Sequence, residues 1–283
     1  MVMNMRIFIS ILALAPVSVY GHPEECVNGA PALGFSCTPL AAVPLGAAAD
    51  YAVLAGSGIT IGIGSSVVPE TKKIGVSPGT SVIGFDNFDA ASEAFAGKAD
   101  LYTAYEEAAS AYVGPANRHL KAYVDGAYDS DTQYKPADFI LSDKDMGGMT
   151  LKPGVYKFAV AAALTGRLIL DDSGSDPLVW IFQTGSTAIF AANSEVIFMS
   201  QITSGAGSNS AVEKVTWQVG SSATMNSGAK VIGNVLAYAS ITTLDDVVVN
   251  GRLLAKNAAV TTQKTTICSS TIAAECPLTA STI

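Results

Sequence analysis

Apolar and polar residues alternate along the C-terminal half of the chain, and the alternation recurs every 18 residues. The stretches 215–232, 233–250 and 251–268 show the repeat when they are aligned. Small or apolar residues then stand in register: Trp217 with Val235 and Leu253, Val219 with Ala237 and Ala255, Ala223 with Ile241 and Ala259, Ala229 with Val247 and Thr265, and Val231 with Val249 and Ile267. Alternation with a period of two is the pattern of β-strands, so each repeat predicts short strands rather than helix.

A repeat of this length with three alternating runs predicts one turn of a triangular parallel β-helix, with turns stacked about 4.8 Å apart. Further turns are predicted at 52–68, 75–85, 156–170 and 182–188. An antiparallel sandwich or barrel would need Asn-Gly or Asp-Gly hairpins about every 8 to 12 residues, and Asn250-Gly251 does not recur at such intervals. A left-handed hexapeptide helix also has turns of this length, but its motif is not evident. The hand of the helix stays open on physical grounds.

Residues 88–113 break the alternation and predict a long α-helix. The stretch is rich in Ala and Glu, and Asp89 or Ser92 is a candidate N-cap before the Gly114-Pro115 stop. Apolar side chains recur near helical spacing at Phe95, Ala99, Leu101, Tyr102, Tyr105, Ala109 and Tyr112. We expect the helix to cover one face of the β-helix and to leave two faces in contact with water.

The composition limits the partners. Charged residues make up only 14% of the chain, against about a quarter in typical soluble domains. The net charge of −8 disfavours nucleic acid and an electrostatic membrane anchor, because both need clustered Lys and Arg. No partner of either kind is predicted, and a monomer suffices.

The first residues predict export. Arg6 precedes an apolar run over 7–19, and Gly21 is followed by a cleavage point before His22, so 1–21 is predicted to be a signal peptide. The run is too short for a good membrane span. The mature protein is therefore expected to be secreted, with 22–44 as an N-terminal extension.

Four cysteines lie near the ends of the mature chain, at Cys26, Cys37, Cys268 and Cys276. An even number in an exported protein predicts disulfides, and three pairings are possible. We favour Cys26 with Cys37 and Cys268 with Cys276, because each pair closes a short loop. Neither pair has metal-ligand spacing, so no metal or other cofactor is predicted.

Several motifs carry a resemblance to a known family. They are 45–56 (LGAAADYAVLAG), 75–80 (GVSPGT), 99–105 (ADLYTAY), 147–156 (GGMTLKPGVY), 180–183 (WIFQ), 217–223 (WQVGSSA) and 249–252 (VNGR). In this order they resemble the microbial ice-binding proteins of the DUF3494 type. The similarity runs from about Leu45 to Ile267, nearly the whole mature chain.

The resemblance implies a discontinuous, right-handed triangular β-helix with one long α-helix along a face. It implies an ice-binding domain over 45–268, followed by a tail over 269–283. It also implies that the partner is the surface of an ice crystal, which a flat face of the β-helix adsorbs so that ice growth and recrystallisation are inhibited.

Two faces are candidates for ice contact. One follows from the family's Thr-Gly/Ala-x-Thr/Asn pattern, although Glu195, Lys230, Asp245 and Lys264 put charges where the family often has small hydroxyls. The other follows from alternation, which predicts that small uncharged residues beside Ala223, Ile241 and Ala259 point outward. Across both faces the predicted ice-binding residues are Ser66, Ser81, Thr224, Asn226, Lys230, Thr242, Leu244, Val248, Thr262 and Thr266.

Two other functions, polysaccharide cleavage and carbohydrate binding, are alternatives to ice binding. Many parallel β-helices are polysaccharide-cleaving enzymes, but the acidic pairs here each fit a turn or a solvated helix face, and Gly-x-Ser-x-Gly is absent. A non-enzymatic protein is therefore predicted. An extracellular carbohydrate-binding or adhesive protein shares the fold and the export signal. Carbohydrate sites usually present aromatic platforms, whereas Trp180 and Trp217 are predicted to point inward.

Overall fold

The computed structural model describes residues 41–68, 72–85, 94–110, 145–174, 178–204 and 213–268. The predicted signal peptide, the N-terminal cysteines, the helix caps and the C-terminal tail lie outside these residues. The N-terminal part holds a 3-10 helix η1 (Gly46–Asp50), β1 (Tyr51–Ala55), β2 (Gly58–Ile61), β3 (Ser66–Val68), β4 (Lys73–Val76), β5 (Ser81–Ile83) and α1 (Phe95–Ser110).

The remaining elements follow α1 in chain order. They are β6 (Thr150–Leu151), β7 (Gly154–Phe158), β8 (Ala162–Leu164), β9 (Arg167–Leu170), β10 (Trp180–Thr184), β11 (Ala188–Phe190), β12 (Glu195–Phe198), α2 (Met199–Ser204), β13 (Val215–Val219), β14 (Ala223–Met225), β15 (Lys230–Ala237), β16 (Ile241–Thr243), β17 (Val248–Ala255), β18 (Val260–Thr262) and β19 (Thr266–Cys268).

The strands form three parallel sheets that enclose one core. Sheet A runs β7-β10-β13-β15-β17-β1-β4, and sheet B runs β8-β11-β14-β16-β18-β2-β5. Sheet C runs β6-β9-β12-β15-β17-β19-β3. The long strands β15 and β17 serve both sheets, C with their first halves and A with their second halves. The prediction of a triangular parallel β-helix is confirmed, and the described strand pairs show none of the antiparallel hairpins of the alternative.

A glycine lies where each long strand passes from sheet C to sheet A. Gly251 has φ +149°, and a Cβ at this position would lie 1.9 Å from the carbonyl oxygen of Gly233 in the next coil. A side chain cannot fit there, so Asn250-Gly251 marks a bend between two faces and not a hairpin turn.

The β-helix is discontinuous, as the resemblance implied. The last coil, β17-β18-β19, stacks against the first coil of the chain, β1-β2-β3. We call this contact the seam. Arg252, 3% exposed, crosses it by donating from Nε to the carbonyl oxygen of Ala49 (3.1 Å), while its Nη1 donates to Glu213 (2.6 Å) and Asn234 (2.9 Å).

Most of the predicted register is confirmed. Trp217 pairs with Val235 and then Leu253, and Val231 pairs with Val249 and then Ile267. The prediction for Ala259 is wrong, because Ile241 pairs with Val260. The last coil has one additional residue before β18 and one fewer in the corner after it. The two changes cancel, so the 18-residue spacing returns at β19.

The core is filled by a stack of aromatic rings from successive coils of sheet A. Phe182 stacks on Trp217 with ring centroids 3.9 Å apart and on Tyr156 at 5.3 Å. Phe190 of sheet B meets Trp217 edge-on at 5.0 Å. Trp180 and Trp217 are fully buried, as predicted, so neither forms an exposed aromatic platform.

Helix α1 packs along sheet A and covers it. Its buried residues are Gly97, Lys98, Leu101, Ala104, Tyr105 and Ala108. The predicted apolar stripe is therefore only partly right: Phe95, Ala99 and Tyr102 face solvent, while Leu101 and Tyr105 are buried. A glycine and a lysine belong to the buried face because the helix approaches closely, and a Cβ on Gly97 would lie 2.6 Å from the ring of Tyr51.

Two lysines lie between α1 and the end of β17. Lys98 Nζ donates to the carbonyl oxygens of Ala255 (2.9 Å) and Lys256 (2.5 Å). Lys256 Nζ pairs with Glu106 and lies 4.6–5.4 Å from the ring centroids of Tyr102, Tyr105 and Tyr238. Burial lowers the pKa of Lys98 from 10.5 to about 8, and the nearby Lys256 ammonium adds to the decrease.

The lowered pKa predicts a rise of stability with pH. Between about pH 8 and pH 10.5 the unfolded chain keeps the proton of Lys98 and the folded chain releases it, so the free energy of unfolding increases with pH in this window. We expect a gain of about 1–3 kcal/mol, measured by urea denaturation from pH 7 to 9.5. The Lys98→Met variant should lose this part of the slope. Equal slopes in the two proteins would contradict the assignment.

Candidate functional site

The outer side of sheet B carries no charged side chain along its seven strands. Beyond β8 it ends at Asp145, whose backbone pairs with Ala163 and whose carboxylate accepts hydrogen bonds from Thr165. Alternate residues of its strands point outward in three rows, which we call the uncharged face. The central row is Ile83, Thr60, Thr261, Thr242, Thr224, Ile189 and Ala163; one side row is Ser81, Gly58, Ala259, Ser240, Ser222, Thr187 and Ala161; the other is Gly62, Gln263, Leu244, Asn226, Ala191 and Thr165. None of these residues is ionisable.

Four threonines occupy adjacent strands in the middle of the central row. Thr60, Thr261, Thr242 and Thr224 pair consecutively, and this threonine ladder crosses the seam between β2 and β18. Their side chains are half-buried between neighbouring strands. Across the described residues, no hydrogen bond within the protein involves their hydroxyl groups. Hydroxyls at a strand spacing of about 4.8 Å are therefore available to bind water in a regular row.

Hydrogen bonds fix polar side chains in the rows beside the ladder. Ser222 and Ser240 are joined through their Oγ atoms at 2.9 Å, and Asn226 Nδ2 donates to the carbonyl oxygen of Phe190 at 3.0 Å. These bonds hold polar groups of the side rows against the protein. Apolar Ile189, 45% exposed, extends the central row beyond the threonines.

Charges begin at the corner between sheets B and C. In this corner Asn193, Asp246 and Lys264 have φ of 57°, 59° and 36°. Lys264 and Asp246 form an exposed ion pair at 2.7 Å, and the hydrogen bond from Lys264 to Asp246 raises the pKa of Lys264. The ion pair marks the edge of the uncharged face.

Sheet C has a different outer surface. Glu195 lies between Arg167 (2.8 Å) and Lys230 (3.5 Å) on neighbouring strands. Farther along the same row are Val248, Thr266 and Ser66. Charged groups order water around themselves, so this surface is less suited than sheet B to an ordered planar layer of water.

The structure separates the predicted ice-binding residues into three places. Ser81, Thr224, Asn226, Thr242 and Leu244 lie on the uncharged face, and Ser66, Lys230, Val248 and Thr266 lie on sheet C. Thr262 points inward and is 1% exposed, so its prediction as an ice-contacting residue is wrong. The one-residue shift in the last coil brings Thr261 to the surface in its place.

Sequence reasoning missed two of the four threonines. The shifted register hid Thr261, which the constant period assigned to the interior. Thr60 lies in a predicted coil, but its alternation does not show that β2 stacks on β18. Cys268 is in a disulfide whose partner lies outside the described residues. The proposed pairing with Cys276 therefore stays a prediction.

The described residues contain no group of three or more His, Cys, Asp or Glu side chains placed to hold a metal ion. Among their helices, none combines the length and apolar character needed to span a bilayer.

The class of protein is a discontinuous parallel β-helix in which a helix covers one sheet and the strands of another sheet present no charged side chain. The chain belongs to the ice-binding-like family, whose profile matches residues 53–268.

Relatives and solved structures agree with this assignment. An ice-binding protein of Nostoc sp. (strain HG1) is 35% identical over 223 residues, which cover 77% of this chain and 70% of the relative. The crystal structure of an ice-binding protein from the Antarctic ascomycete Antarctomyces psychrotrophicus superposes with a TM-score of 0.60 at 26% identity, covering 81% of this chain and 99% of that one. The crystal structure of an ice-binding protein from an Antarctic biological consortium superposes with a TM-score of 0.62 at 28% identity, covering 84% of this chain and 95% of that one.

Proposed function

We propose that this protein is a secreted, non-enzymatic monomer that adsorbs to ice through the uncharged face and thereby inhibits ice growth and recrystallisation. The observation that carries the proposal is the threonine ladder in the centre of sheet B, whose seven strands point no charged side chain outward. Sheet A is covered by α1, and sheet C carries the Arg167–Glu195–Lys230 cluster. Sheet B is therefore the face we assign to ice.

The chemistry of the face supports this assignment. Ice presents a planar lattice of water, and a protein that adsorbs to it needs a rigid surface that orders water laterally. Threonine supplies a hydroxyl for hydrogen bonding and a methyl group that is weakly hydrated. Parallel strands repeat this pair of groups at one spacing, whereas a charged side chain would bind its own shell of water more strongly. Carbohydrate binding lacks comparable support, because both tryptophans are buried and the ammonium group of Lys256 lies over the rings of Tyr102, Tyr105 and Tyr238.

Partitioning into ice tests the proposal directly. A solution of the purified mature chain is frozen slowly from one side, together with a non-binding protein of similar size as an internal control. We expect the protein to be enriched in the ice and to keep crystals small during annealing, while the control stays in the liquid. Exclusion of both proteins to the same extent would contradict the proposed function.

A further inference from the structure

The ladder is continuous only because β18 is held in one of two registers. In the observed register Val260 and Thr262 point inward and Thr261 points outward. A shift of one residue would reverse the direction of every side chain in the strand. Ala259 and Thr261 would then be buried, and the outward residues would be Val260 and Thr262. The surface row would have a valine between Thr60 and Thr242.

The inward threonine needs a polar partner. Most coils place an apolar residue at this position, such as Met225, Phe190 or Ile61. The last two coils instead have buried threonines, Thr243 and Thr262, and Thr262 is 1% exposed. A buried hydroxyl is costly unless it forms a hydrogen bond. Ser65, on the other side of the seam, supplies that bond, with its Oγ 3.2 Å from Thr262 Oγ1.

Ser65 also completes the shortened corner that follows β18. In two earlier coils the corner is closed by a local turn, in which Ala229 N donates to Asn226 O (3.0 Å) and Ser194 N donates to Ala191 O (3.0 Å). In the last coil, Thr265 N donates instead to Ser65 Oγ at 3.0 Å, and Thr262 O accepts from Gly62 N at 2.8 Å. One side chain of the first coil thus replaces the turn that the last coil lacks.

From these contacts we infer that Ser65 is a positioning residue for the ice face. It holds β18 in the register that buries Thr262 and presents Thr261 in line with Thr60 and Thr242. Burial of Val260, fully enclosed in the core, favours the same register. The consequence for ice rests on the proposed function, whereas the register itself does not.

Thiol reactivity measures the register without ice. The described residues contain no free cysteine, so within them a cysteine introduced at 260 or 261 is the thiol that reacts, and its rate, taken after subtraction of the rate of the unsubstituted chain, follows its exposure. In the parent background we expect Thr261→Cys to react at least about tenfold faster than Val260→Cys. Adding Ser65→Ala should raise the rate at 260 and lower it at 261. Ser65→Thr keeps an Oγ and should leave both rates unchanged.

The outcomes distinguish register, unfolding and ice binding. Rates that rise together at 260 and 261 in Ser65→Ala would show unfolding in place of a change of register and would overturn the inference. An unaltered rate at 260 in Ser65→Ala would also overturn it. A loss of recrystallisation inhibition in Ser65→Ala, together with the opposed rate changes, supports both the inference and the proposed function. Opposed rate changes with full ice activity would support the register and overturn the assignment of ice binding to sheet B.

Discussion

Replacing Thr242 by tyrosine is expected to abolish ice binding while the protein stays folded. Thr242 lies between Thr261 and Thr224 in the middle of the central row. A phenol ring at this position projects above its neighbours and separates the rest of the face from a planar ice surface. Adsorption depends on simultaneous contact along the whole face, so the loss should exceed that of one contact.

The expected effect is at least a tenfold increase in the concentration that prevents recrystallisation, which corresponds to about 1.4 kcal/mol or more of adsorption free energy. The matched control is Thr266→Tyr, which places the same ring on sheet C, one strand away from Ser66. Both positions are half-buried, so each variant should change the free energy of unfolding by only about 0.5 kcal/mol. Full activity in Thr242→Tyr with loss in Thr266→Tyr would move the ice-binding site to sheet C.

Replacing Trp217 by alanine is expected to have the largest effect on stability. The indole stacks on Phe182 at 3.9 Å, meets Phe190 at 5.0 Å, and its Nε1 donates to the carbonyl oxygen of Ile232 at 2.9 Å. Truncation leaves a cavity in a rigid solenoid whose coils cannot easily close it. A loss of about 3–5 kcal/mol follows, with a fall in melting temperature of about 10 °C.

Two further variants are compared with Trp217→Ala to identify the cause of its loss of stability. Trp217→Phe keeps the ring stack and removes the indole hydrogen bond, so its loss should be smaller. Phe95→Ala removes an aromatic residue that is 68% exposed and should change the free energy of unfolding by no more than about 0.5 kcal/mol. Thermal denaturation followed by circular dichroism gives all three values. An effect of Trp217→Ala as small as that of Phe95→Ala would contradict the described core.

The repeat predicted the fold because inward and outward positions alternate with a period of two in each coil. It predicted Thr224 and Thr242 on one face because the coils that carry them keep the constant spacing. It failed at Thr262, because one added and one missing residue within the same coil cancel in the overall period. The helix stripe was misplaced for another reason: close packing against Tyr51 selects Gly97, and Lys98 reaches backbone carbonyls that no periodicity of apolar residues reveals.

The seam could not be predicted from the alternation of residues within each segment. Pairing of β2 with β18 joins segments that alternation alone treats as unrelated, and the discontinuity was expected only from the resemblance to the family. The Arg167–Glu195–Lys230 cluster was visible as separate charges, but the strand register was needed to show that these charges form one patch.

The seam also has a consequence for the order in which the protein is made. Ser65 and Thr265, which meet across it, are 200 residues apart in sequence. At a synthesis rate of about 5–20 residues per second, about 10–40 s pass before β17, β18 and β19, the partners of β1, β2 and β3 across the seam, have been translated. During that time Thr60 lacks Thr261, its neighbour in the ladder, and such distant pairings form slowly. A nascent or truncated chain therefore lacks a complete ladder, and the face that we propose for ice binding is complete only when the last coil closes the solenoid.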